Sequence, residues 1–234
     1  MRAGTQGSLY FPNVESTRAQ VGVDIGHLGL QGESFTISVW VRVAAGAMTA
    51  WSSQSSNFLA ILGIDSIGGN CGERDCLHIR FEDGAVLFGF YYDDLRAAVD
   101  TAFSASSEEE QWHHWSFTFN AENLQRCVIR DGGIVQCDTA GGSLAANYGM
   151  RIGGQFTNAP FPFMGHMANF AVWREALSSV ILGAYSTCQW ETMLTPQANL
   201  VFFSAIASDM NFVAGESFDT SQVISTCAGT RLGD

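Results

Sequence analysis

The chain has 234 residues, 47% of them hydrophobic, and its 11 basic residues, all arginines, stand against 23 acidic ones for a formal net charge of −12. This balance excludes a disordered chain, and it also excludes the concentrated basic surface that nucleic acids and anionic membranes require. No apolar run approaches the roughly 18 residues of a membrane-spanning helix, so membrane insertion is not expected.

The first half of the chain has the alternating apolar pattern of short β-strands. The clearest case is Ser34–Val43, where every second residue from Phe35 onward is apolar. Leu77–Phe81 and Val86–Tyr92 are separated by the turn-forming sequence Glu82-Asp83-Gly84, which predicts a hairpin. Further segments with strand character are Ser8–Pro12, Val21–Leu30 (a loop or an edge strand), Phe58–Ile64 and Leu95–Phe103.

The second half continues the pattern and adds a helix. Leu124–Ile129 and Gly133–Cys137 flank Asp131-Gly132, which predicts a second hairpin. Ser178 is a good N-cap for a short helix, because the residues after it are apolar at helical spacing. The other predicted strands are Trp112–Asn120, Met150–Gly153, Met164–Trp173 and Leu200–Ala205.

This succession of short strands and Gly/Asp turns predicts an all-β fold, a two-sheet antiparallel jelly-roll sandwich with one short helix. The sequence has no internal repeat and no break in composition. We therefore expect a single domain over residues 1–234, with segment 192–234 packing on the sheets or completing them.

Six cysteines predict three disulfides. Two cysteines lie opposite each other across the hairpin CVIRDGGIVQC, two bracket a glycine-rich loop, and the last two remain for each other. The predicted pairs are Cys127–Cys137, Cys71–Cys76 and Cys188–Cys227. Such pairing indicates an oxidising location, which is a secreted protein, an extracellular surface or an organelle lumen.

The order of these elements resembles the concanavalin A-like jelly rolls, and among them the laminin G-like and pentraxin-like domains. The likeness rests on SFTISVWVRV at 34–43, WHHWSFTF at 112–119, the cysteine hairpin at 127–137, and IGGQ followed by MGHMANFAVWREALSSVIL within 152–182. It covers about residues 8–205. The resemblance implies two antiparallel sheets, one of them concave, with ligands at loops on a sheet edge or on the concave face.

The pentraxin-like members hold calcium with an early Asp-Asn pair and with acidic residues after the Gly-Gln segment. In this chain the early pair falls on Ser56-Asn57, and the later loop, Phe156–Phe163, has no carboxylate. Calcium needs several oxygen ligands, so we expect no cofactor and read the family site as lost. Two alternatives stay open beside a plain disulfide-closed loop: a cation site from Asp65, Asn70, Glu73 and Asp75, or a metal bound by Cys71, Cys76 and His78.

Enzymatic function is not expected. Glycoside hydrolases with this jelly roll need paired carboxylates on one strand face, and no predicted strand carries such a pair. His113 and His114 are adjacent on a predicted strand, so their side chains point to opposite faces and cannot act together. We expect them to be structural.

Aromatic and amide side chains near predicted loops indicate a binding function. Sugars stack their apolar faces on aromatic rings while amides hydrogen-bond their hydroxyls. The candidate ligand-binding residues are Trp51, Asn57, Tyr91, Tyr92, Asn158, Phe161 and Phe163. We expect a non-enzymatic recognition or assembly module that mediates protein–protein interaction or adhesion; the alternative is a carbohydrate-binding lectin domain.

Overall fold

The structure, a computed structural model, describes residues 9–11, 23–47, 58–64, 71–82, 84–98, 109–154, 163–187 and 199–204. The strands in these segments are β1 (Leu9–Phe11), β2 (Val23–His27), β3 (Phe35–Val43), β4 (Phe58–Ile64), β5 (His78–Glu82), β6 (Ala85–Gly89), β7 (Asp94–Ala98), β8 (Trp112–Asn120), β9 (Gln125–Arg130), β10 (Gly133–Thr139), β11 (Gly149–Ile152), β12 (Gly165–Trp173) and β13 (Leu200–Ser204). A helix, α1, spans Ser179–Ser186.

The strands form two antiparallel sheets. A seven-stranded sheet has the order β1-β12-β3-β8-β9-β10, with β13 also paired to β12, and a six-stranded sheet has the order β2-β11-β4-β5-β6-β7. Strand β1 pairs with residues 165–167 of β12 and β13 pairs with residues 170–173, so the two short strands share one edge end to end. The predicted two-sheet antiparallel sandwich is confirmed.

The core lies between the sheets and is rich in aromatic rings. The alternation of β3 places Phe35 in the core, where its ring centroid lies 6.1 Å from the ring centroid of Phe88 in the six-stranded sheet. Phe81 contacts Trp115 edge-on at 5.6 Å across the same interface. Burying one such side chain contributes about 2–3 kcal/mol, so these rings are the main force that joins the sheets.

Helix α1 covers part of the outer face of the seven-stranded sheet. The Ser178 hydroxyl accepts a hydrogen bond from the Ile181 amide, as predicted for an N-cap. Leu182 and Tyr185 are buried against that face, where burial raises the pKa of Tyr185 to about 12. Among the described residues, no helix has both the length and the apolar character needed to span a bilayer.

Two of the predicted disulfides are present. Cys71 and Cys76 are bonded with their Cα atoms 5.7 Å apart, and Cys127 and Cys137 face each other across β9 and β10 with Cα atoms 4.1 Å apart. The third predicted pair, Cys188–Cys227, lies outside the described residues. Of the predicted C-terminal segment 192–234 the structure describes residues 199–204, and these include β13, which extends the seven-stranded sheet.

The main boundary error concerns the second hairpin of the six-stranded sheet. We predicted a strand over Val86–Tyr92, whereas β6 ends at Gly89 and Tyr91-Tyr92 form the turn into β7. Strand β7 spans Asp94–Ala98, and residues 99–103 of the predicted Leu95–Phe103 strand lie outside the described residues. The error has a physical origin, because the two turn residues are strand-favouring aromatics rather than Asn or Gly.

Candidate functional site

The predicted ligand-binding residues divide into two groups. Trp51, Asn57, Asn158 and Phe161 lie outside the described residues, as do Asp65 and Asn70 of the alternative cation site. Three described residues remain from the ligand-binding group: Tyr91, Tyr92 and Phe163.

Phe163 does not belong to an exposed site. Its side chain is 0% exposed and packs in the main core, just before β12 begins. Its amide donates to the Gly153 carbonyl at 3.0 Å, which draws this end of the loop inward. The prediction of Phe163 as a surface aromatic is therefore wrong, because the sequence did not reveal that the apolar strand pattern already starts at this residue.

Tyr91 and Tyr92 form a two-residue turn at the tip of the β6–β7 hairpin. Gly89 pairs with Asp94, and the Phe90 amide donates to the Asp93 carbonyl at 3.0 Å. Both tyrosines have left-handed backbone angles, with φ of 65° and 60°. Positive φ at both central positions defines a type I′ turn, which normally takes Asn-Gly or Asp-Gly.

The same chain contains the favoured version of this turn. The β9–β10 hairpin turns at Asp131-Gly132, with φ of 49° and 82°. A left-handed backbone costs a residue with a Cβ about 1–2 kcal/mol. The tyrosines therefore hold a strained backbone conformation in a turn that Asp-Gly would form with less strain. Backbone strain that a structure retains often lies at a functional site.

The turn presents one aromatic ring to solvent. The two ring centroids are 4.4 Å apart, and Tyr92 is 78% exposed. A side-chain hydrogen bond with Tyr92 raises the pKa of the Tyr91 phenol. Tyr91 is half-buried and supports its neighbour, so the exposed ring of Tyr92 is held on a short, constrained tip.

The disulfide loop braces this turn from the side. The Arg74 amide donates to the Tyr91 carbonyl at 3.0 Å, and the Arg74 carbonyl accepts from the Ala145 amide at 2.8 Å. The Arg74 guanidinium reaches the Gly141 carbonyl at 2.7 Å and lies where a side chain at Gly142 would be. We call Arg74, Tyr91, Tyr92, Gly141 and Gly142 the tyrosine-turn site.

Acidic residues in the disulfide loop have local partners. Asp75 accepts a hydrogen bond from the Gly72 amide at 3.0 Å, and Glu73 lies 3.9 Å from the Arg74 guanidinium. The disulfide also removes Cys71 and Cys76 as thiolate ligands, which overturns the alternative metal site with His78. In the part of the chain that the structure describes, no three His, Cys, Asp or Glu side chains are grouped as a metal site.

The outer face of the six-stranded sheet runs below the turn. Gly89 allows His78 and Asp94 to meet above it, with His78 Nε2 3.3 Å from the Asp94 carboxylate. Burial alone would raise the pKa of Asp94, but the hydrogen bond and charge of His78, with Arg80 and Arg126, hold the pKa below its usual value.

That face offers little open surface among the residues described. His78 and the outward-facing Leu87 are buried, and Arg80 is tied to Glu82 at 2.6 Å. The exposed aromatic surface is therefore at the tyrosine turn and not on these strands.

A small pocket adjoins the disulfide loop. Asp75, Leu77, Leu144 and Asn147 contribute to a mainly apolar lining, and the cavity volume between them is only about 10 Å³. Enclosed ligand sites occupy about 300–1,000 Å³. A ligand at this end of the sandwich would therefore rest on the surface rather than fill a cleft.

The adjacent histidines have separate structural partners. His114 is buried with Nε2 2.7 Å from the Ser38 hydroxyl, and burial lowers its pKa to about 4. His113 Nδ1 lies 2.7 Å from the Asp131 carboxylate on the other side of the sheet.

Sequence reasoning did not identify Arg74, Gly141 or Gly142 as parts of the site. The order of apolar residues in the sequence did contain a signal for the turn. Val86 and Phe88, which face the core, have even residue numbers, whereas the core-facing Leu95 and Ala97 have odd ones. Such a change of phase indicates a turn between the two runs.

The two packed sheets, with a helix on one outer face and a candidate site at a loop tip, define a concanavalin A-like sandwich. A laminin G-type sequence model, described as the concanavalin A-like lectin/glucanases superfamily, matches residues 16–180. The chain belongs to this superfamily. No curated protein sequence matches it.

Solved structures share the fold at low sequence identity. A candidate carbohydrate binding protein from Bacteroides ovatus is 13% identical with a TM-score of 0.54; the match covers 85% of this chain and 50% of that one. The SAP-like pentraxin of Limulus polyphemus is 13% identical with a TM-score of 0.50 and coverages of 77% and 82%. The CBM40 domain of the Ruminococcus gnavus IT-sialidase, bound to α2,6 sialyllactose, is 14% identical with a TM-score of 0.50 and coverages of 71% and 97%.

These neighbours include binding domains, and this chain spans half the length of the Bacteroides protein. At such identities the likeness shows the fold. The function of this chain therefore depends on the residues of its own site.

Proposed function

We propose that the chain is a non-enzymatic carbohydrate-binding module that binds a saccharide at the tyrosine-turn site. The observation that carries the proposal is the Tyr91-Tyr92 turn, where two aromatic residues occupy left-handed positions and expose the ring of Tyr92. Strain of this kind has no benefit for folding, because Asp-Gly forms the same turn elsewhere in the chain.

The chemistry of the site suits a sugar. An exposed, fixed ring gives the apolar C–H face of a pyranose or furanose a flat surface to stack on. Contacts between aromatic rings contribute about 0.5–1.5 kcal/mol in addition to the free energy of burying their area, and we expect a stacked sugar to contribute a similar amount. The phenol groups of Tyr91 and Tyr92 and the guanidinium of Arg74 can hydrogen-bond sugar hydroxyls beside the ring. An open, shallow surface favours an oligosaccharide over a small enclosed ligand.

The neighbouring structures give additional support. One is described as a candidate carbohydrate binding protein, and another was solved with a bound sialyllactose. The two disulfides favour a location outside the reducing cytosol, where extracellular glycans are met.

A glycan array tests the proposal. The wild-type chain should bind one family of glycans, free sugar of the same family should compete, and Tyr92→Ala should lose binding about tenfold or more. Ile134→Ala is the matched control, because Ile134 is another exposed apolar residue, 58% exposed, on a different hairpin. The array is run with calcium and with a chelator, since the expected absence of a cofactor predicts equal binding in both.

Two outcomes would contradict this function. One is a wild-type chain that retains no glycan under either condition. The other is glycan binding that Tyr92→Ala leaves unchanged, which would move the site to a different surface.

A protein-interaction or assembly module is the second candidate, favoured by exposed apolar side chains on neighbouring elements. Val180 on α1 is 81% exposed and Ile134 on β10 is 58% exposed. This function predicts association that depends on concentration and is reduced by Val180→Asp, as measured by sedimentation velocity. A monomer at all concentrations together with glycan binding would remove self-association as an explanation.

A further inference from the structure

Arg126 is a buried cation that reaches the tyrosine turn from inside the sandwich. It lies on β9 in the seven-stranded sheet, and its side chain is 1% exposed. Its guanidinium carbon lies 5.3 Å from the ring centroid of Phe90, the residue before the two tyrosines. A charge this deeply buried is stable only with hydrogen-bond acceptors close to it, so the fold has to hold those acceptors in place.

The partners of Arg126 lie on two different elements. Nε and one terminal nitrogen donate to both oxygens of the Asp138 carboxylate, at 3.0 and 2.7 Å. The other terminal nitrogen donates to the Asp93 carbonyl at 2.6 Å, and a further contact of 3.2 Å reaches the Asp93 carboxylate. The guanidinium therefore connects β9 and β10 of one sheet to the turn of the other.

Asp93 is the residue that closes the turn. Its carbonyl accepts from the Phe90 amide at 3.0 Å, which is the hydrogen bond that joins the two ends of the turn. Its carboxylate also accepts from the Gly141 amide at 2.9 Å. One residue thus joins the turn, the buried arginine and the neighbouring loop.

We propose that Arg126 and Asp93 form a clamp that positions the tyrosine turn for ligand binding. The inference rests on the proposed function, because the turn has to be a binding element for its positioning to matter. Arg126 and Asp93 touch no ligand in this scheme. They act through Tyr91 and Tyr92 as positioning residues.

The clamp answers a specific difficulty of this turn. Left-handed tyrosines favour opening of the hairpin tip, and an opened tip would have to be reordered each time a ligand bound. Holding the closing residue from the core keeps the tip in its binding conformation before the ligand arrives. Affinity then depends on the clamp even though no atom of the clamp contacts the ligand.

The geometry separates this role from simple stabilisation. Asp138 alone already forms a bidentate pair with Arg126, and such a pair neutralises the charge of a buried guanidinium. The contacts to Asp93 use a backbone carbonyl as well as the side chain, and this ties the arginine to the path of the chain at the turn.

Two isosteric variants test the clamp. Asp93→Asn and Asp138→Asn each remove one carboxylate from Arg126, but only Asp93 is in the turn. The readout that needs no ligand is hydrogen exchange of the Phe90 and Arg74 amides, whose acceptors are Asp93 and Tyr91. The ligand readout is retardation in native gels that contain arabinan, xylan or β-glucan, using the polysaccharide that retards the wild-type chain most.

We expect Asp93→Asn to speed exchange of both amides about tenfold and to weaken retardation by a similar factor, as the loss of a charge-assisted hydrogen bond implies. Asp138→Asn should lower the thermal denaturation midpoint at least as much, yet leave exchange and retardation within about twofold of wild type. Arg126→Lys, which keeps the charge but loses the planar fork, should follow Asp93→Asn.

Equal effects of the two isosteric variants on amide exchange would overturn the clamp, since Arg126 would then serve stability alone. Unchanged exchange in Asp93→Asn would overturn it as well. If none of the three polysaccharides retards the wild-type chain, the result counts against the proposed function, and the exchange comparison still decides whether Arg126 and Asp93 hold the turn.

Discussion

Replacing Tyr92 with glycine should make the protein more stable and less able to bind. Glycine adopts positive φ without the Cβ penalty, so Tyr92→Gly removes about 1–2 kcal/mol of backbone strain. The larger conformational freedom of glycine in the unfolded chain costs about 0.5–1 kcal/mol. Because Tyr92 is 78% exposed, little buried area is lost, and the difference between the two contributions is a net gain in unfolding free energy of about 0–1.5 kcal/mol.

Urea denaturation measures this gain as a higher midpoint at an unchanged slope. Tyr92→Ala is the control, since alanine also lacks the ring but keeps a Cβ at the strained position. Alanine should lose glycan binding without gaining stability. When a residue is kept for function at the expense of stability, replacing it raises the unfolding free energy and lowers binding.

The reasoning is refuted if Tyr92→Gly is less stable than Tyr92→Ala, because the left-handed backbone would then not be a source of strain. It is also refuted if the glycine variant binds glycans as well as the wild type does.

The remaining predictions concern the elements that support the turn and the core. Cys71→Ser with Cys76→Ser should lower stability by about 2 kcal/mol, from the entropy of a short closed loop, and should weaken glycan binding; equal binding would show that the disulfide does not brace the turn. Gly132→Ala should lower the unfolding free energy by about 2–4 kcal/mol, measured as a lower denaturation midpoint. The φ of Gly132 is 82°, and the Cβ of an alanine there would lie 2.5 Å from the Gly183 Cα. His114 has its pKa depressed to about 4 in the folded state, so the unfolded chain takes up a proton first as the pH falls. Stability from this group is complete above pH 6.5, its ordinary value, and decreases by about 3 kcal/mol toward pH 4; His114→Gln should flatten that slope, and a slope equal to wild type would contradict it.

The fold could be predicted from the sequence because its signals are local. The alternation of Phe35 to Val43 indicates which face of β3 lies in the core between the sheets, and the Asp-Gly pairs mark hairpins whatever the rest of the chain does. The Cys127–Cys137 disulfide followed from the same hairpin, because its register places the two residues opposite each other.

The site was only partly predictable because its essential relations are not local. Tyr91 and Tyr92 were recognised as candidates by residue type, but their turn was missed, since nothing in the sequence Phe-Tyr-Tyr-Asp favours positive φ. Arg126 occupies a strand position that looks like an exposed polar one. It is buried because Asp93, 33 residues away, and Asp138, 12 residues away, converge on it in the folded chain.

Nuclear magnetic resonance titration with an oligosaccharide selected on the array tests the central claim most directly. The account predicts that shift changes centre on Tyr91, Tyr92, Arg74 and Gly141, and that they disappear in Tyr92→Gly while that variant remains folded. Changes centred on α1 and β10, or an absence of changes at the tyrosine turn at saturating sugar, would contradict it.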